Sequence, residues 1–323
     1  MRKSRVIATI LALVVMSMGL ASCSLFMVNT NENVVESPVV EKTVEINYPL
    51  EVKDSDGKMI TLEAVPEKVI SLGPNMTELV YALGQGDRLV GVTTYCDYPE
   101  EALEVEKIGS LQEPDFEKIA ELAPDLVLAS THVGEETMKK LEELKIPTLT
   151  LYDERNLEGL HEIILTLGDA LNCPTEAQAL AEDCFTRIDA VRSAVNEEAR
   201  PSLYYVVGFG EYGDFTAGGD TFVNDIIEAA GAKNIAADIE GWSYSIEKLI
   251  EEDPDMIVIP AWAEESFGKE APYSDLTAVK EGRVFTIDNN MIDRQCHRNA
   301  DAVEALAELV AEVIAPESVK PAA

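Results

Sequence analysis

Positive charge is scarce in this sequence: 25 Lys and Arg stand against 60 Asp and Glu, for a formal net charge of −35. Such a surplus excludes nucleic acid as a partner and opposes close contact with anionic lipid, because both demand a basic face. It does not forbid a locally basic cleft. Histidine is rarer still, with only His132, His161 and His297, too few for a dedicated multi-histidine zinc site. The five cysteines include no C-x-x-C pair, which removes zinc ribbons and thioredoxin-type redox motifs. Neither G-x-x-x-x-G-K-[ST], G-x-S-x-G nor H-E-x-x-H occurs, and no nucleophile–base–orienter pattern stands out. An enzyme is therefore not expected, and no cofactor is called for. Disorder is excluded in turn, since 46% of the residues are apolar, enough for real cores.

What is present begins at the N-terminus. Arg2, Lys3 and Arg5 precede an almost unbroken apolar run of 15 residues, Val6 to Leu20. That is too short for a comfortable membrane span of ~30 Å but suits a secretory leader. Leu20, Ala21 and Ser22 then lead into Cys23, an arrangement similar to the bacterial lipobox, in which the cysteine is lipidated and becomes the mature N-terminus. Residues 1–22 are thus expected to be a signal peptide and 23–47 a lipidated, polar tether. The folded part would then sit outside the cytoplasm, held to the cell membrane by its lipid alone.

From residue 48 the pattern becomes regular. A hairpin is predicted over 50–62, turning at Asp56-Gly57. Strand-like runs at 68–72, 88–92, 125–129 and 148–152 alternate with helix patterns at 75–83, 115–122 and 135–144. The same grammar restarts at Pro201, with strands at 203–207, 256–259 and 283–287 and helices at 222–230, 245–251 and 300–314. Alternation of this kind implies a parallel sheet covered on both faces. Between the halves, 156–194 reads as helix almost throughout, broken at Asn172-Cys173-Pro174, where proline suits a first helical turn. The expected organisation is an N-terminal α/β lobe over 48–155, a helical connector over 156–200, a C-terminal α/β lobe over 201–316 and a tail over 317–323. A helix of ~20 residues is a rod of about 30 Å, so small hinge motions are expected between the lobes rather than wide opening.

Gly208, Gly210 and Gly213 match G-x-G-x-x-G after a strand. A dinucleotide site needs those glycines to run directly into a helix. Here more loop follows, through Gly218 and Gly219, so a ligand-facing loop is the expectation.

Several stretches resemble the cobalamin and iron-chelate family of ABC-transporter substrate-binding lipoproteins. They are VISLGPNMTE (69–78), LVGVTTYCDYP (89–99), PDLVL (124–128), TAGGDTF (216–222), AAGAKN (229–234) and RQCHR (294–298). They lie in order across nearly the whole chain beyond residue 48. The resemblance implies two Rossmann-like lobes with mostly parallel sheets, bridged by a single long helix, with the ligand cleft between them. It further implies capture of a metal chelate, either a corrinoid, a ferric siderophore or haem, and delivery to an ABC permease dimer by a monomeric protein. Glu78 and Glu228 match positions at which the resemblance places one permease-docking carboxylate per lobe; an alternative for Glu78 is a capping box with Asn75.

Ligand residues are expected on loops at the carboxyl ends of strands. Tyr95, His132, Phe215, Trp242 and Trp262 offer rings suited to a flat macrocycle, while Arg294, His297 and Arg298 could meet carboxylate, phosphate or amide oxygens. The sequence departs from the family pattern at Cys296 and His297, which replace a small residue and a proline. Leu111 and Ser130 stand where a cobalamin binder can carry further tryptophans, so the chelate's identity stays open. Cys96 and Cys296, expected on loops facing each other across the cleft, are candidate ligands for the metal of a bound chelate. Two readings from other classes remain beside this one. An α/β oxidoreductase or nucleotide-binding enzyme would need a helix opening at Gly210 or clustered cysteines; a ligand sensor would differ only in its membrane partner.

Overall fold

Each lobe is built from the same short unit, and the unit can be followed residue by residue. The computed structural model describes residues 46–131, 133–153 and 155–315; the expected leader, the expected lipidation site Cys23 and the candidate His132 lie outside them. The first unit comprises β3 (Val69–Ser71), α1 (Pro74–Ala82), β4 (Leu89–Val92), α2 (Phe116–Leu122), β5 (Leu126–Ala129), α3 (Glu135–Glu143) and β6 (Thr148–Thr150). A hairpin of β1 (Leu50–Lys53) and β2 (Met59–Leu62) precedes it. All four strands of the sheet are parallel and ordered β4-β3-β5-β6.

Two helices, α4 (Gly159–Ala170) and α5 (Pro174–Ala194), carry the chain across. Pro174 opens the first turn of α5, where its missing N–H costs nothing. At 21 residues, α5 is a rod of about 30 Å.

The second unit follows: β7 (Ser202–Tyr205), β8 (Asp214–Phe215), α6 (Phe222–Ala229), β9 (Lys233–Asn234), β10 (Ser243–Tyr244), α7 (Ile246–Glu252) and β11 (Met256–Pro260), then α8 (Thr277–Lys280), β12 (Val284–Ile287), α9 (Asn290–Asp293) and α10 (Asn299–Ile314). Its sheet, β12-β11-β7-β9, is also fully parallel. Read from the opposite edge, this is the strand order of the first lobe. The expected fold class, two parallel α/β lobes with helices between, is therefore present.

The equivalence extends to the caps. Asp115 opens α2 by accepting from Lys118 N at 3.0 Å, and Ser245 opens α7 by accepting from Lys248 N at 3.4 Å. Both helices end on a left-handed residue, Ala123 at φ 49° and Asp253 at φ 39°, and a proline then prevents continuation. Asp125 and Asp255 follow at matching places. Asp125 accepts from Glu67 N and Lys68 N at 2.9 Å, Asp255 from Ser202 N at 2.8 Å. Each carboxylate thus ties the start of one strand to the start of the lobe's first strand.

The strands are apolar on both faces. β5 and β11 are buried along their full length, as parallel strands sandwiched between helices must be. The described residues form one unit, and one apolar core runs from β3 through α4 and α5 to α10. Among the described residues no helix is long and apolar enough to cross a membrane.

Candidate ligand cleft

In both lobes the first and third strands are neighbours, which makes the space beyond their carboxyl ends the natural crevice of the sheet. In the first lobe this crevice is bounded by Gly73, Pro74 and Asn75 after β3 and by Ser130 and Thr131 after β5. Gly73 caps α1 with its backbone extended and Pro74 begins the helix. Asn75 donates from Nδ2 to Ser130 Oγ at 2.9 Å, pinning the two loops together. Phe222 and the Asp293–Gln295 segment of the second lobe close the far side of a cavity of ≈ 160 Å³. A second hollow of ≈ 220 Å³ shares Ser130, Thr131 and Tyr152 and adds Asp56 and Met138.

The corresponding crevice of the second lobe is aromatic. Phe209, beyond β7, stacks on Trp262, beyond β11, at 5.8 Å with the planes 7° apart. Phe267 and Tyr273 pack edge-on beneath Phe209 at 5.1 and 5.5 Å. The glycine triplet supplies the turn in between. Gly210 and Gly213 have φ of 97° and 110°, a region that side chains other than glycine rarely adopt. Gly210 N donates to Tyr273 Oη at 3.0 Å, and that hydroxyl donates to Asp214 Oδ1 at 2.7 Å. The triplet therefore runs into the two-residue strand β8 and not into a helix. A pyrophosphate cradle is absent from it.

The seam between lobes is held by charge. Glu78, on α1, is sealed from solvent, with its side chain 0% exposed. Arg294 Nη1 lies 2.6 Å from its Oε1, and Arg298 Nη1 lies 3.4 Å from its Oε2. Arg294 also reaches Asp97 at 2.7 Å, while Arg298 pairs with Asp288 at 2.6 Å and stacks over the ring of Tyr98 at 4.1 Å. Burial opposes charge on both arginines. Hydrogen bonds to Asp97 and Glu78 for Arg294, and to Asp288 for Arg298, outweigh it and raise both above the ordinary value. Gln295 adds a neutral clasp: its amide accepts from Asp153 N at 2.8 Å and donates to Asp153 O at 2.6 Å. Asp293 is pushed up by burial, against hydrogen bonds from Asn289 and Tyr205.

These contacts correct the reading of Glu78. It is neither an exposed docking carboxylate nor part of a capping box, because Gly73 caps the helix without any side-chain bond and both carboxylate oxygens face arginines. Glu228 is half-buried and paired with Arg200, and it accepts from Asn234 N at 3.2 Å. The cysteine expectation is corrected as well. Cys96 is buried, its sulfur 3.1 Å from Thr77 Oγ1 and 3.2 Å from Thr93 Oγ1. Cys296 is buried with its sulfur 3.3 Å from Glu78 Oε2; burial and that carboxylate push its thiol far up, so it is no thiolate ligand. Neither faces an open cleft, and no disulfide joins them.

Among the other expected ligand residues, Tyr95, Trp242 and Trp262 are open to solvent at 55%, 41% and 59%. Phe215 is half-buried against Gly208. Arg294 lines the cleft, but its guanidinium is spent on carboxylates. Arg298 lies behind it. His297 faces the other way: Cys184 Sγ, on α5, lies 3.4 Å from its carbonyl, its Nδ1 is buried without a partner, and burial lowers its pKa. Tyr152, Asn75, Asp97, Gln295 and Phe209 contribute to the cleft or its seam without having been singled out. Their signal was position alone: Asp97, Tyr152 and Phe209 follow strands, Asn75 opens α1 and Gln295 follows α9.

Two parallel lobes of one topology, a helical bridge and strand-end crevices give the architecture of a two-lobed binding protein. The chain belongs to the family described as periplasmic binding protein, whose model matches residues 69–291. It is 31% identical over 271 residues to the uncharacterised ABC transporter substrate-binding lipoprotein YvrC of Bacillus subtilis strain 168, covering 81% of this chain and 86% of that one. A cobalamin-binding protein of Halobacterium salinarum strain R1 is 30% identical over 277 residues, covering 81% and 74%. Among solved structures, the periplasmic heme-binding protein RhuT of Roseiflexus sp. RS-1 in apo form superposes with a TM-score of 0.70 at 26% identity, covering 77% of this chain and 99% of that one. The chain is therefore a substrate-binding protein of the ABC-transporter class.

Proposed function

We propose that this receptor captures a corrinoid at the facing strand-end loops and hands it, unaltered, to an ABC permease while held to the membrane through lipidated Cys23. The observation that carries the reading is the set of open rings, Tyr95, Trp242 and Trp262, on loops at the carboxyl edges of the two sheets. Flat macrocycles gain most from such faces. The two open hollows of ≈ 160 and ≈ 220 Å³ in the first lobe's crevice are each smaller than the ~300–1,000 Å³ of an enclosing small-molecule site. A large chelate would accordingly lie across the mouth, with only its substituents entering. The similarity to a named cobalamin-binding protein supports the same choice. No reaction is assigned, because Glu78, Asp293 and Cys296, the titratable groups at the seam, are engaged in structural contacts.

A receptor with two like lobes that meets a permease dimer should present equivalent, exposed groups on both lobes. Glu78 and Glu228 are not equivalent, since they stand at different distances before the matching Gly84 and Gly231. Glu117 and Glu247 are: each follows the cap of its helix by two residues and is exposed. These two carboxylates fit the docking role, where charge pairing sets register and encounter rate more than affinity. Replacing both with alanine should abolish corrinoid uptake by cells while leaving ligand affinity intact; unimpaired uptake would contradict the assignment.

The ligand is tested by titrating the protein lacking residues 1–23 with cobalamin, cobinamide, haemin and ferric siderophores, read by tryptophan fluorescence. Corrinoid binding at or below about 1 μM, ~8 kcal/mol, is expected. An absence of saturable corrinoid quenching would overturn the reading.

A further inference from the structure

We propose that Glu78 and Asp97 determine which ligand charge the cleft accepts: by holding Arg294 and Arg298 in ion pairs, they restrict it to neutral or cationic chelates and exclude carboxylate-bearing ones. The inference deepens the corrinoid reading and rests on it.

Arg294 is the only Lys or Arg among the described residues lining the two adjoining hollows, beside the carboxylates Asp56 and Asp293. On sequence alone it would be the natural partner for a ligand carboxylate. Its Nη1 is instead shared between Glu78 and Asp97 at 2.6 and 2.7 Å, and its Nη2 points to Tyr95 O at 3.4 Å. Arg298, four residues further on, is closed in by Glu78, Asp288 and the face of Tyr98. Two guanidiniums therefore meet three carboxylates, Glu78, Asp97 and Asp288. The local balance at the seam is negative, not positive.

An incoming carboxylate has no unmatched cation to meet. It would have to displace Glu78, which has no route to water, or Asp97, and it would do so facing Asp56 and Asp293. Specificity can come from repulsion of the wrong ligand as much as from attraction of the right one, and in a half-desolvated cleft one misplaced charge costs far more than in water. Neutral amides suffer no such penalty. The cleft offers them hydroxyl and amide partners at Asn75, Ser130 and Thr131, groups that can both donate and accept. Amide-fringed corrinoids fit this lining; haem, with two propionates, and ferric catecholates, with several negative charges, do not.

The test compares one corrinoid carrying its full set of peripheral amides with the same corrinoid bearing a single amide hydrolysed to carboxylate. Both are titrated at low salt against wild type, Asp97→Asn and Glu78→Gln. Wild type should bind the all-amide form about tenfold or more tightly than the carboxylate. Asp97→Asn, at a half-exposed position where folding is not at stake, should narrow that ratio by releasing Arg294. Glu78→Gln, if it folds, should narrow it further. Equal binding of the two forms by wild type, or a ratio unchanged in Asp97→Asn, overturns the inference while leaving the corrinoid reading intact. Should neither corrinoid bind, the corrinoid reading falls, and the charge rule is read from a ferric pair. Tighter binding of a neutral ferric trihydroxamate than of haemin or a ferric catecholate then upholds the rule, and the reverse order, or no binding by any of them, overturns it.

Discussion

Replacing Glu78 with glutamine removes one charge from the seam while keeping its shape. Loss of one partner from a buried ion pair costs about 3–5 kcal/mol, mainly because the remaining charge is left uncompensated. Here the cost falls at the lower end, because Arg298 keeps Asp288 at 2.6 Å and Arg294 keeps Asp97 at 2.7 Å. About 3 kcal/mol is expected, equivalent to a fall in Tm of roughly 6–12 °C for a protein of this size. Far-UV circular dichroism on heating reads it directly. Glu228→Gln is the internal comparison: its pair with Arg200 has the carboxylate 36% exposed, so its loss should cost less than about 1 kcal/mol. Raising salt to about 0.5 M should shrink the Glu228 effect and spare most of the Glu78 effect, since buried pairs are poorly screened. A Glu78→Gln protein melting with wild type, or no lower than Glu228→Gln, would refute the interlobe role.

Alanine at Tyr95 or Trp242 should each weaken corrinoid binding about tenfold, as loss of one ring face of ~1–1.5 kcal/mol implies; calorimetric titration showing no change would remove that ring from the site. Cys96→Ser and Cys296→Ser should leave the visible spectrum of a bound chelate unaltered, because both sulfurs are sealed away from the cleft; a shifted band would restore the metal-ligand expectation. His297 gives a pH dependence. Burial lowers its folded pKa from an unfolded value near 6.5, so the neutral ring's contribution is complete above about pH 6.5 and is lost as pH falls toward the folded pKa. Between about pH 7 and 5 wild type should therefore lose Tm faster than His297→Gln; equal slopes would contradict this.

The α/β alternation was legible because both sheets are parallel and fully covered, which leaves near-continuous apolar runs at 126–129 and 256–260. Pro174 and the proline–aspartate pairs after α2 and α7 likewise act locally, and their neighbours in sequence suffice to read them. Strands β8 and β10 were not legible. They are two residues long and exist only because Ser243 and Tyr244 meet Phe215 and Asp214 across the loop. The fate of Glu78 was hidden for a stronger version of the same reason. Its partners lie 216 and 220 residues away, and a glutamate on an amphipathic helix carries no local mark of burial. Arg294 was read from sequence as a cation open to a ligand, whereas its guanidinium is paired with Glu78 and Asp97. Tyr95, Trp242 and Trp262 follow β4, β9 and β11 in the chain and are exposed; their contact with ligand is what the alanine variants test.

The central claim is that both lobes grip one ligand at their facing strand ends. Hydrogen–deuterium exchange of the protein with and without saturating corrinoid tests this most directly. Protection is expected together in the segments at 73–75, 93–98 and 130–131 of one lobe and 206–213, 241–244 and 261–263 of the other, with α5 and α10 unchanged. Protection confined to a single lobe, or centred on α5 and α10, would contradict it.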